Sequence, residues 1–224
     1  MIKNPILVIP LCGTGNRFVK QGYTIHKAML KIDGKTMLER VINKFPIETK
    51  TFIITTKSIR NHIEIANDYN KLKEIYNLNW IIIEPHTKGP GYSLYKGLND
   101  IPKSLPCYIS YCDITWSWEY LKNDISSNTK AAIFIHNGFH PHLVKNNFSA
   151  FCLPMEDNKS YLKEIKEKES FTNDWMNEYL SIGLFYIDRI ERIEDPLNSM
   201  LRSKLTVSNE YFPSLLYNYL VKDN

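Results

Sequence analysis

Residues 6–27 decide the fold and read ILVIPLCGTGNRFVKQGYTIHK. The first six form an apolar run that predicts a short buried β-strand, and two glycines, Gly13 and Gly15, follow it in a turn. Glycines let backbone N–H groups approach phosphate oxygens closely, and Arg17 and Lys27 add two cations to the same stretch. The stretch therefore predicts a strand that leads into a phosphate-binding loop. A tight turn with two solvated surface cations is the alternative.

Two well-known glycine motifs do not fit this loop. The dinucleotide-binding fingerprint needs a third glycine where Phe18 stands. The P-loop would need its first glycine five positions before Gly34, where Met29 stands. Gly34 and Lys35 are therefore interpreted as a β-turn that precedes a helix.

The remainder of the chain alternates apolar and amphipathic runs. In the first half, strands are predicted at 6–11, 51–56, 80–84, 106–112 and 131–135. Helices are predicted at 36–45, 58–77, 92–101 and 116–125, with Ser58 as the cap of the longest. The second half predicts a β-hairpin within 148–170, a strand at 180–187 and closing helices within 195–205 and 210–220.

This alternation predicts an α/β fold, a Rossmann-like three-layer αβα sandwich with a mainly parallel central sheet and a small β-hairpin excursion in the second half. A single domain over residues 1–224 is expected. Active sites of such sheets lie at the carboxyl ends of the strands. Three segments follow strands in this way: 12–18, 85–91 and 112–115.

The composition argues against several classes of protein. The 224 residues carry 28 Lys and Arg against 24 Asp and Glu, and they contain no basic run that would suit nucleic acid. The opening apolar stretch is too short to cross a bilayer. The four cysteines form no C-x-x-C pair and are interpreted as reduced thiols. We therefore expect a cytoplasmic protein with a small anionic ligand and with no nucleic-acid or membrane partner.

Residues 9–42, IPLCGTGNRFVKQGYTIHKAMLKIDGKTMLERVI, resemble the opening of the nucleotidyltransferase family that makes nucleotide sugars. That family shows Gly-x-Gly-x-Arg, then a Pro-Lys pair, then a short turn and a helix that starts with Met. The chain is most similar to a bacterial branch that serves surface polysaccharides. Later segments resemble further family motifs in the expected order: TKGPGYS (87–93) the base-binding turn, YCD (111–113) the metal motif, and then 167–172, 181–186 and 210–218.

The resemblance implies the nucleotide-diphospho-sugar transferase fold and an in-line transfer. A phosphate oxygen of a sugar 1-phosphate, or of another small phosphorylated acceptor, would attack the α-phosphorus of an NTP, and pyrophosphate would leave. CTP is the first choice of nucleotide, followed by UTP, and the product would be a capsule or lipopolysaccharide precursor. Phosphocholine and phosphorylated amino-acid derivatives are alternative acceptors. Residues 1–135 would bind the NTP and residues 136–224 the acceptor.

The resemblance also implies roles for single residues. Arg17 is the expected catalytic residue at the β- and γ-phosphates, and Lys27 at the α-phosphate. Asp113 is the expected ligand of Mg²⁺, a hard ion suited to carboxylate and phosphate oxygens, and Glu210 is a second candidate ligand. The expected nucleotide-binding residues are Leu11, Cys12, Gly13, Thr14, Gly15, Asn16, Pro85, Thr87, Gly89, Gly91 and Ser93, with Gly89 and Gly91 allowing close approach of the base. The expected acceptor-binding residues are Glu167, Lys168, Ser181 and Gly183.

The chain departs from the family pattern at three points. His26 replaces the proline before the lysine, and the loss of proline's fixed φ predicts a looser placement of Lys27. Pro90 and Gly91 replace two alanines of the base-binding turn, so the base preference does not transfer. A G-T-P-x-D-L-like segment, near which relatives carry a second metal-binding acid, is absent. A homodimer, or fusion to further domains, is compatible with this pattern.

Two other functions are weighed against this one. His26 and the absent segment are compatible with a non-catalytic nucleotide-binding domain that regulates or scaffolds a partner. A glycosyltransferase with a similar nucleotide-binding half is the third hypothesis, although its usual D-x-D is absent around Asp113.

Several side chains also have plainer interpretations. Three histidines are clustered at His136, His140 and His142. A zinc site is disfavoured there because no cysteine or carboxylate accompanies them at a finger-like spacing. We expect instead that they lie in a loop near the acceptor. Packing is expected for Trp116, Trp118 and Trp175. Ordinary neighbours on a helix face are the plain interpretation of two i,i+4 pairs, Glu64 with Asp68 and Glu164 with Lys168.

Overall fold

The computed structural model describes residues 5–117, 125–138 and 147–222. Its strands are β1 (Ile6–Pro10), β2 (Lys31–Ile32), β3 (Lys35–Thr36), β4 (Thr51–Thr55), β5 (Leu78–Ile82), β6 (Cys107–Ser110), β7 (Ala131–His136), β8 (Ala150–Pro154), β9 (Leu162–Glu167) and β10 (Tyr179–Ile187). Its α-helices are α1 (Asn16–Lys20), α2 (Met37–Ile42), α3 (Lys57–Glu64), α4 (Tyr69–Ile75), α5 (Gly89–Gly97), α6 (Glu194–Arg202) and α7 (Tyr217–Lys222). In the described ranges, no helix combines the length and the apolar character that a membrane span requires.

An eight-stranded sheet forms the middle of the fold. Its order is β5-β4-β1-β6-β10-β8-β9, and β7 also pairs with β10. The four strands β5, β4, β1 and β6 are parallel to one another, and β10 runs antiparallel to β6, β7 and β8. The prediction of a mainly parallel central sheet is therefore confirmed. The short strands β2 and β3 form a separate antiparallel hairpin around the predicted turn at Gly34.

Helices cover both faces of this sheet, as the continuous apolar strands predict. Side chains alternate along a strand, so Ile6 and Val8 of β1 enter one core while Leu7 and Ile9 enter the other. The first core is closed by α5, α6 and α7, and the second by α2, α3 and α4. All four of these β1 side chains are essentially inaccessible to water. The three-layer sandwich follows from burying β1 on both sides.

The predicted β-hairpin excursion of the second half is confirmed as β8 and β9, which pair antiparallel. Asn218 of α7 attaches this hairpin to the rest of the chain. Its amide Nδ2 donates to the Ile165 carbonyl (2.8 Å), and its Oδ1 accepts from the Ile165 N–H (2.9 Å). The side chain of Asn218 therefore satisfies a backbone edge that would otherwise lack a strand partner.

The prediction of one helix over 58–77 is wrong, because the segment forms two helices. The chain turns between α3 and α4, and this turn buries Tyr69 and Leu72 against the sheet. Trp80 of β5 then donates its indole N–H to the Tyr69 hydroxyl (3.0 Å). The apolar spacing alone could not reveal that turn, because it is compatible with one continuous helix.

Several boundaries and pairings also differ from the predictions. The cap of α3 is Thr56, which accepts from the Ile59 N–H (3.3 Å), rather than Ser58. Helix α5 begins at Gly89 rather than at residue 92. The predicted pair of Glu64 and Asp68 is not formed; Glu64 pairs with Arg60 (2.9 Å) and Asp68 with Lys31 (2.9 Å). Most of the helix predicted at 116–125, including Trp118, lies outside the described residues.

The close contact between α5 and β4 generates a first prediction. A Cβ added to Gly97 would lie 2.9 Å from three side-chain carbons of Ile54. Gly97→Ala should therefore lower the free energy of unfolding by about 1–3 kcal/mol, measured by urea denaturation, because overpacking a rigid core costs more than the helix propensity returns. In a double-mutant cycle, Ile54→Ala should offset part of this loss by making room for the methyl group. Strictly additive losses would contradict the proposed clash.

Candidate active site

The three segments that follow strands meet at one edge of the sheet, as parallel strands require. The first segment is anchored where it leaves β1. Leu11 donates its N–H to the Ile54 carbonyl (2.7 Å), and the Thr55 hydroxyl donates to the Leu11 carbonyl (2.7 Å). The chain is therefore held by β4 until residue 11 and is exposed at Gly13 and Thr14.

Residues 13–15, called the glycine loop here, lie against the side chain of Lys27. Gly15 has a φ of +71°, and a Cβ added there would lie 3.4 Å from the Cβ of Lys27 and 3.5 Å from its Cγ. Thr14 donates its hydroxyl to the Asn16 side-chain oxygen (2.7 Å), across the start of α1. The left-handed backbone therefore favours glycine at position 15, whereas the distances to Lys27 are those of ordinary van der Waals contact.

Lys27 ends at the carboxylate that follows β6. Its Nζ lies 2.8 Å from Oδ2 of Asp113, although the two residues are 86 positions apart in the chain. Burial lowers the pKa of Lys27, but the neighbouring Cys112 and Asp113 raise it by more, so the net shift is upward and the ammonium stays charged. The exposed Arg17 is close enough for its charge to lower the pKa of Lys27. The structure therefore brings both predicted catalytic cations and the predicted metal ligand to one place.

The placement of Lys27 is not loosened by the residue before it, contrary to the expectation from the missing proline. His26 is only 5% exposed, and its Nε2 lies 2.9 Å from the Gly13 carbonyl oxygen. Its Nδ1 accepts from the Ala28 N–H (3.2 Å) and caps the 3₁₀ turn Lys27–Met29. A side chain that makes two hydrogen bonds holds this turn where a proline ring would have done so.

The segment after β5 is organised by His86 and Ser93. His86 Nδ1 accepts from the Lys88 N–H (3.1 Å), and Nε2 lies 3.1 Å from the Ser93 hydroxyl oxygen. Ser93 is fully buried and also reaches the Cys12 sulfur, whose pKa is raised by burial and partly lowered by this hydrogen bond. The predicted nucleotide-binding residues Cys12 and Ser93 are thus in contact, whereas Pro85 and Thr87 are exposed nearby.

Gly89 and Gly91 permit a close approach, but the approaching group is the chain's own backbone. A Cβ on Gly89 would lie 2.7 Å from the Tyr211 carbonyl oxygen, and one on Gly91 would lie 2.9 Å from the Tyr211 carbonyl carbon. Gly91 donates its N–H to the Tyr211 carbonyl (2.8 Å), and Tyr211 donates to the Lys88 carbonyl (2.8 Å). This contact explains both glycines and carries the neighbouring Glu210 to the site.

Glu167 and Lys168, two of the predicted acceptor-binding residues, differ in burial: Glu167 is buried and Lys168 is half-buried. Glu167 is 8% exposed and accepts from the Ser214 hydroxyl (2.6 Å), and burial raises its pKa. Lys168 has a φ of +59°, and its Nζ lies 4.5 Å from the centre of the Phe212 ring and 3.6 Å from a carboxylate oxygen of Glu210. The interpretation of Lys168 as a helix partner of Glu164 is wrong, because residues 162–167 form strand β9.

Ser181 and Gly183 shape the strand rather than face open solvent. Ser181 accepts from the Gly183 N–H (3.1 Å), and the pairing of β10 with β7 shifts register between residues 181 and 185. Gly183 has a φ of +81°, and a Cβ there would lie 2.6 Å from a ring carbon of Tyr111. Without that Cβ, the Tyr111 ring packs into the irregular part of the strand.

Tyr111 begins the YCD motif, but the sequence assigns it no role of its own. Its hydroxyl is buried and, among the residues that the structure describes, has no hydrogen-bond partner. Burial raises the pKa of Tyr111 well above its usual value, and the charges of Glu167, Asp113 and Glu210 raise it further. The Tyr111 hydroxyl therefore stays protonated in its buried position. The place of this tyrosine in the motif gives no sign of that burial.

The described residues contain no group of three or more histidine, cysteine, aspartate or glutamate side chains arranged to hold a metal ion. Asp113 and Glu210 are both partly exposed, with 40% of each side chain accessible, and each is paired with a lysine. His136 is described, but His140 and His142 lie outside the described residues. The tryptophan predictions are met where the structure can test them, because Trp116 packs against Phe45 and Trp175 against the buried Phe151 and Leu180.

Solved structures of known proteins share this fold. A nucleoside-diphosphate-sugar pyrophosphorylase from Vibrio cholerae RC9 superposes with a TM-score of 0.78 at 20% identity, over 97% of this chain and 88% of that one. A UDP-glucose pyrophosphorylase complexed with UDP-glucose gives 0.74 at 18% identity, over 100% and 88%. The inositol-1-phosphate CTP transferase from T. maritima gives 0.71 at 13% identity, over 100% and 83%. The predicted nucleotide-diphospho-sugar transferase fold is confirmed.

The sequence comparisons assign the family. A search of curated protein sequences finds no significant match. The family model of the MobA-like NTP transferase domain matches residues 8–168, which is more than half of the chain. The match includes the glycine loop, Arg17, Lys27 and Asp113. The chain therefore belongs to the family of MobA-like NTP transferase domains and is an enzyme of the nucleotidyltransferase type.

Proposed function

We propose that this nucleotidyltransferase moves a nucleoside monophosphate from an NTP to a sugar 1-phosphate or another small phosphorylated acceptor. An acceptor phosphate oxygen forms a bond to the α-phosphorus, the bond from the α-phosphorus to the bridging oxygen breaks, and pyrophosphate leaves with that oxygen. The convergence of Arg17, Lys27 and Asp113 at the end of β1 and β6 carries this proposal. No protein nucleophile is required, because positioning and charge neutralisation supply the catalysis.

The chain's own groups divide this work. The glycine loop presents exposed backbone to the triphosphate, Arg17 offers a planar set of donors to the β- and γ-phosphates, and Lys27 offers a point charge near the α-phosphate. Residues 1–135 would bind the nucleotide and residues 136–224 the acceptor. Lys168, whose Nζ lies 3.6 Å from a carboxylate oxygen of Glu210, would hold the acceptor's phosphate.

Mg²⁺ fits the donor set of this site. Asp113 and Glu210 are partly exposed carboxylates, and the charge of each raises the pKa of the buried Tyr111 hydroxyl. Mg²⁺ is commonly held by one or two carboxylates together with substrate phosphates and water, so two protein ligands are sufficient. When bound, the ion would neutralise charge on the phosphates. Lys27 Nζ lies 2.8 Å from the same Asp113 carboxylate.

The substrates that we propose are more specific than those that membership of the family indicates. CTP is our first choice and UTP the second, and structural relatives are described as a CTP transferase and as UDP-glucose pyrophosphorylases. The proposed product is a precursor for capsule or lipopolysaccharide, made in the cytoplasm. The direct test measures pyrophosphate release with each of the four NTPs, Mg²⁺ and a panel of phosphorylated acceptors. Tight NTP binding without turnover on any acceptor would favour a regulatory nucleotide-binding domain instead.

The catalytic roles of Arg17 and Lys27 can be tested against a control cation, Lys20. Arg17→Ala and Lys27→Ala should each lower the rate of pyrophosphate release by at least about tenfold, because donors aimed at developing charge are worth several kcal/mol. Lys20→Ala is the control, because Lys20 is an exposed cation of the same helix α1. Unchanged rates in both site variants would contradict the assignment of the glycine loop to the triphosphate.

The carboxylate can be tested by direct metal binding. Asp113→Asn keeps the shape of the side chain, and we expect it to weaken Mn²⁺ binding in the presence of a non-reactive NTP analogue, measured by electron paramagnetic resonance, and to abolish Mg²⁺-dependent turnover. Asp68→Asn is the control, because Asp68 also pairs with a lysine (2.9 Å) on the surface. Wild-type Mn²⁺ affinity in Asp113→Asn would place the metal on other residues.

A further inference from the structure

We infer that His26 is a positioning residue, which ties the glycine loop to Lys27 through a neutral imidazole protonated on Nε2. This inference rests on the proposed function, because it concerns the geometry of the same phosphate-binding site. His26 would not touch the nucleotide. It would act by holding the Gly13 peptide and the Lys27 backbone at a set distance from each other.

The two partners of the ring select one tautomer. The Ala28 N–H is a donor, so Nδ1, at 3.2 Å, must accept and carries no proton. The Gly13 carbonyl is an acceptor, so Nε2, at 2.9 Å, must donate. Both conditions are met by the neutral ring with its proton on Nε2, and neither can be met by the other tautomer. The doubly protonated ring would set an N–H against the Ala28 N–H.

The backbone at this position is already the one that proline imposes. His26 has a φ of −62° and a ψ of 141°, and the proline ring fixes φ near −65°. A proline could therefore occupy the position without moving Lys27, but it would have no group to bond either Gly13 or Ala28. The histidine reproduces the proline backbone through its cap on Ala28 and adds a bond to the loop.

The glycine loop depends on that added bond. A Cβ placed on Gly13 would meet no atom within 4 Å, so this side of the residue faces open space. At the other end of the loop, a Cβ added to Gly15 would lie 3.4 Å from the Lys27 Cβ, at ordinary van der Waals distance. The two ends of the glycine loop therefore lie beside two consecutive residues. Gly13 is bonded to His26, and Gly15 lies next to Lys27.

The surroundings of His26 keep the ring neutral. Burial lowers its pKa, and the charges of Lys27 beside it and of His62 on α3 lower it further, whereas the bond to Gly13 raises it. The ring is thus held in the form that both hydrogen bonds require at the pH where most histidines begin to titrate.

Two variants separate the two bonds, because asparagine and glutamine each reproduce half of the ring. In His26→Asn, the side-chain oxygen can still cap Ala28 but the amide does not reach Gly13. In His26→Gln, the longer amide can donate to Gly13 but does not cap. His26→Pro removes both bonds and keeps φ.

The readouts are thermal stability, amide hydrogen exchange in residues 12–17, NTP affinity by calorimetry, and KM against kcat. We expect His26→Asn to keep the wild-type melting temperature, to exchange the loop amides faster, and to bind NTP about tenfold more weakly, the size of one hydrogen bond. His26→Gln should recover most of the NTP affinity, and His26→Pro should behave like His26→Asn. Nitrogen-15 NMR of the wild-type ring should show the Nε2–H tautomer and a pKa below the usual histidine value.

Each result bears on the inference separately from turnover. Wild-type loop exchange and NTP affinity in both His26→Asn and His26→Pro would overturn it, as would an Nδ1–H tautomer or losses that follow melting temperature alone. If the tautomer, exchange and affinity results are as expected but no acceptor releases pyrophosphate, the positioning role stands and the proposed transfer reaction fails. If the wild-type protein binds no NTP, both fail.

Discussion

The burial of β1 on both faces and both edges is the constraint on which the rest of the structure depends. Its side chains enter two cores, and its backbone pairs with β4 on one side and β6 on the other. A strand without a free edge or a wet face must lie in the middle of the sheet. Its carboxyl end must therefore open between the ends of its two parallel neighbours. The glycine loop, the β4–α3 connection and Asp113 meet there for that reason.

Charge at this edge is arranged in pairs that keep each cation in place. Lys27 contacts Asp113, and Lys168 lies near Glu210, so each flexible lysine is opposed by a carboxylate that is itself partly exposed. Such pairs contribute little to stability, because solvent screens them. They nevertheless keep the two ammonium groups beside Asp113 and Glu210. A polyphosphate carries enough charge to compete for these lysines. The same carboxylates are the groups on which the proposed Mg²⁺ would depend.

The glycines of the site show how one residue type can serve different purposes. Gly15 adopts a left-handed backbone, Gly89 and Gly91 make room for the backbone of Tyr211, and Gly183 makes room for the ring of Tyr111. The sequence predicts that Gly89 and Gly91 admit a base, whereas the group that approaches them in the structure comes from the far end of the chain. That contact joins the first half of the sheet to the segment that carries Glu210 and Phe212.

The sequence by itself determined most of the strands and the mainly parallel sheet with helices on both faces, because apolar periodicity and glycine turns are local signals. It also determined the family, because the spacing of Gly13, Gly15, Arg17 and Lys27 is local too. Only the tertiary structure decided that Lys27 meets Asp113 across 86 positions, that 58–77 is two helices, and that the Tyr111 hydroxyl is buried. It also reversed the expectation for His26, whose two partners, Gly13 and Ala28, are set by how the chain folds back and not by the residue that histidine replaces.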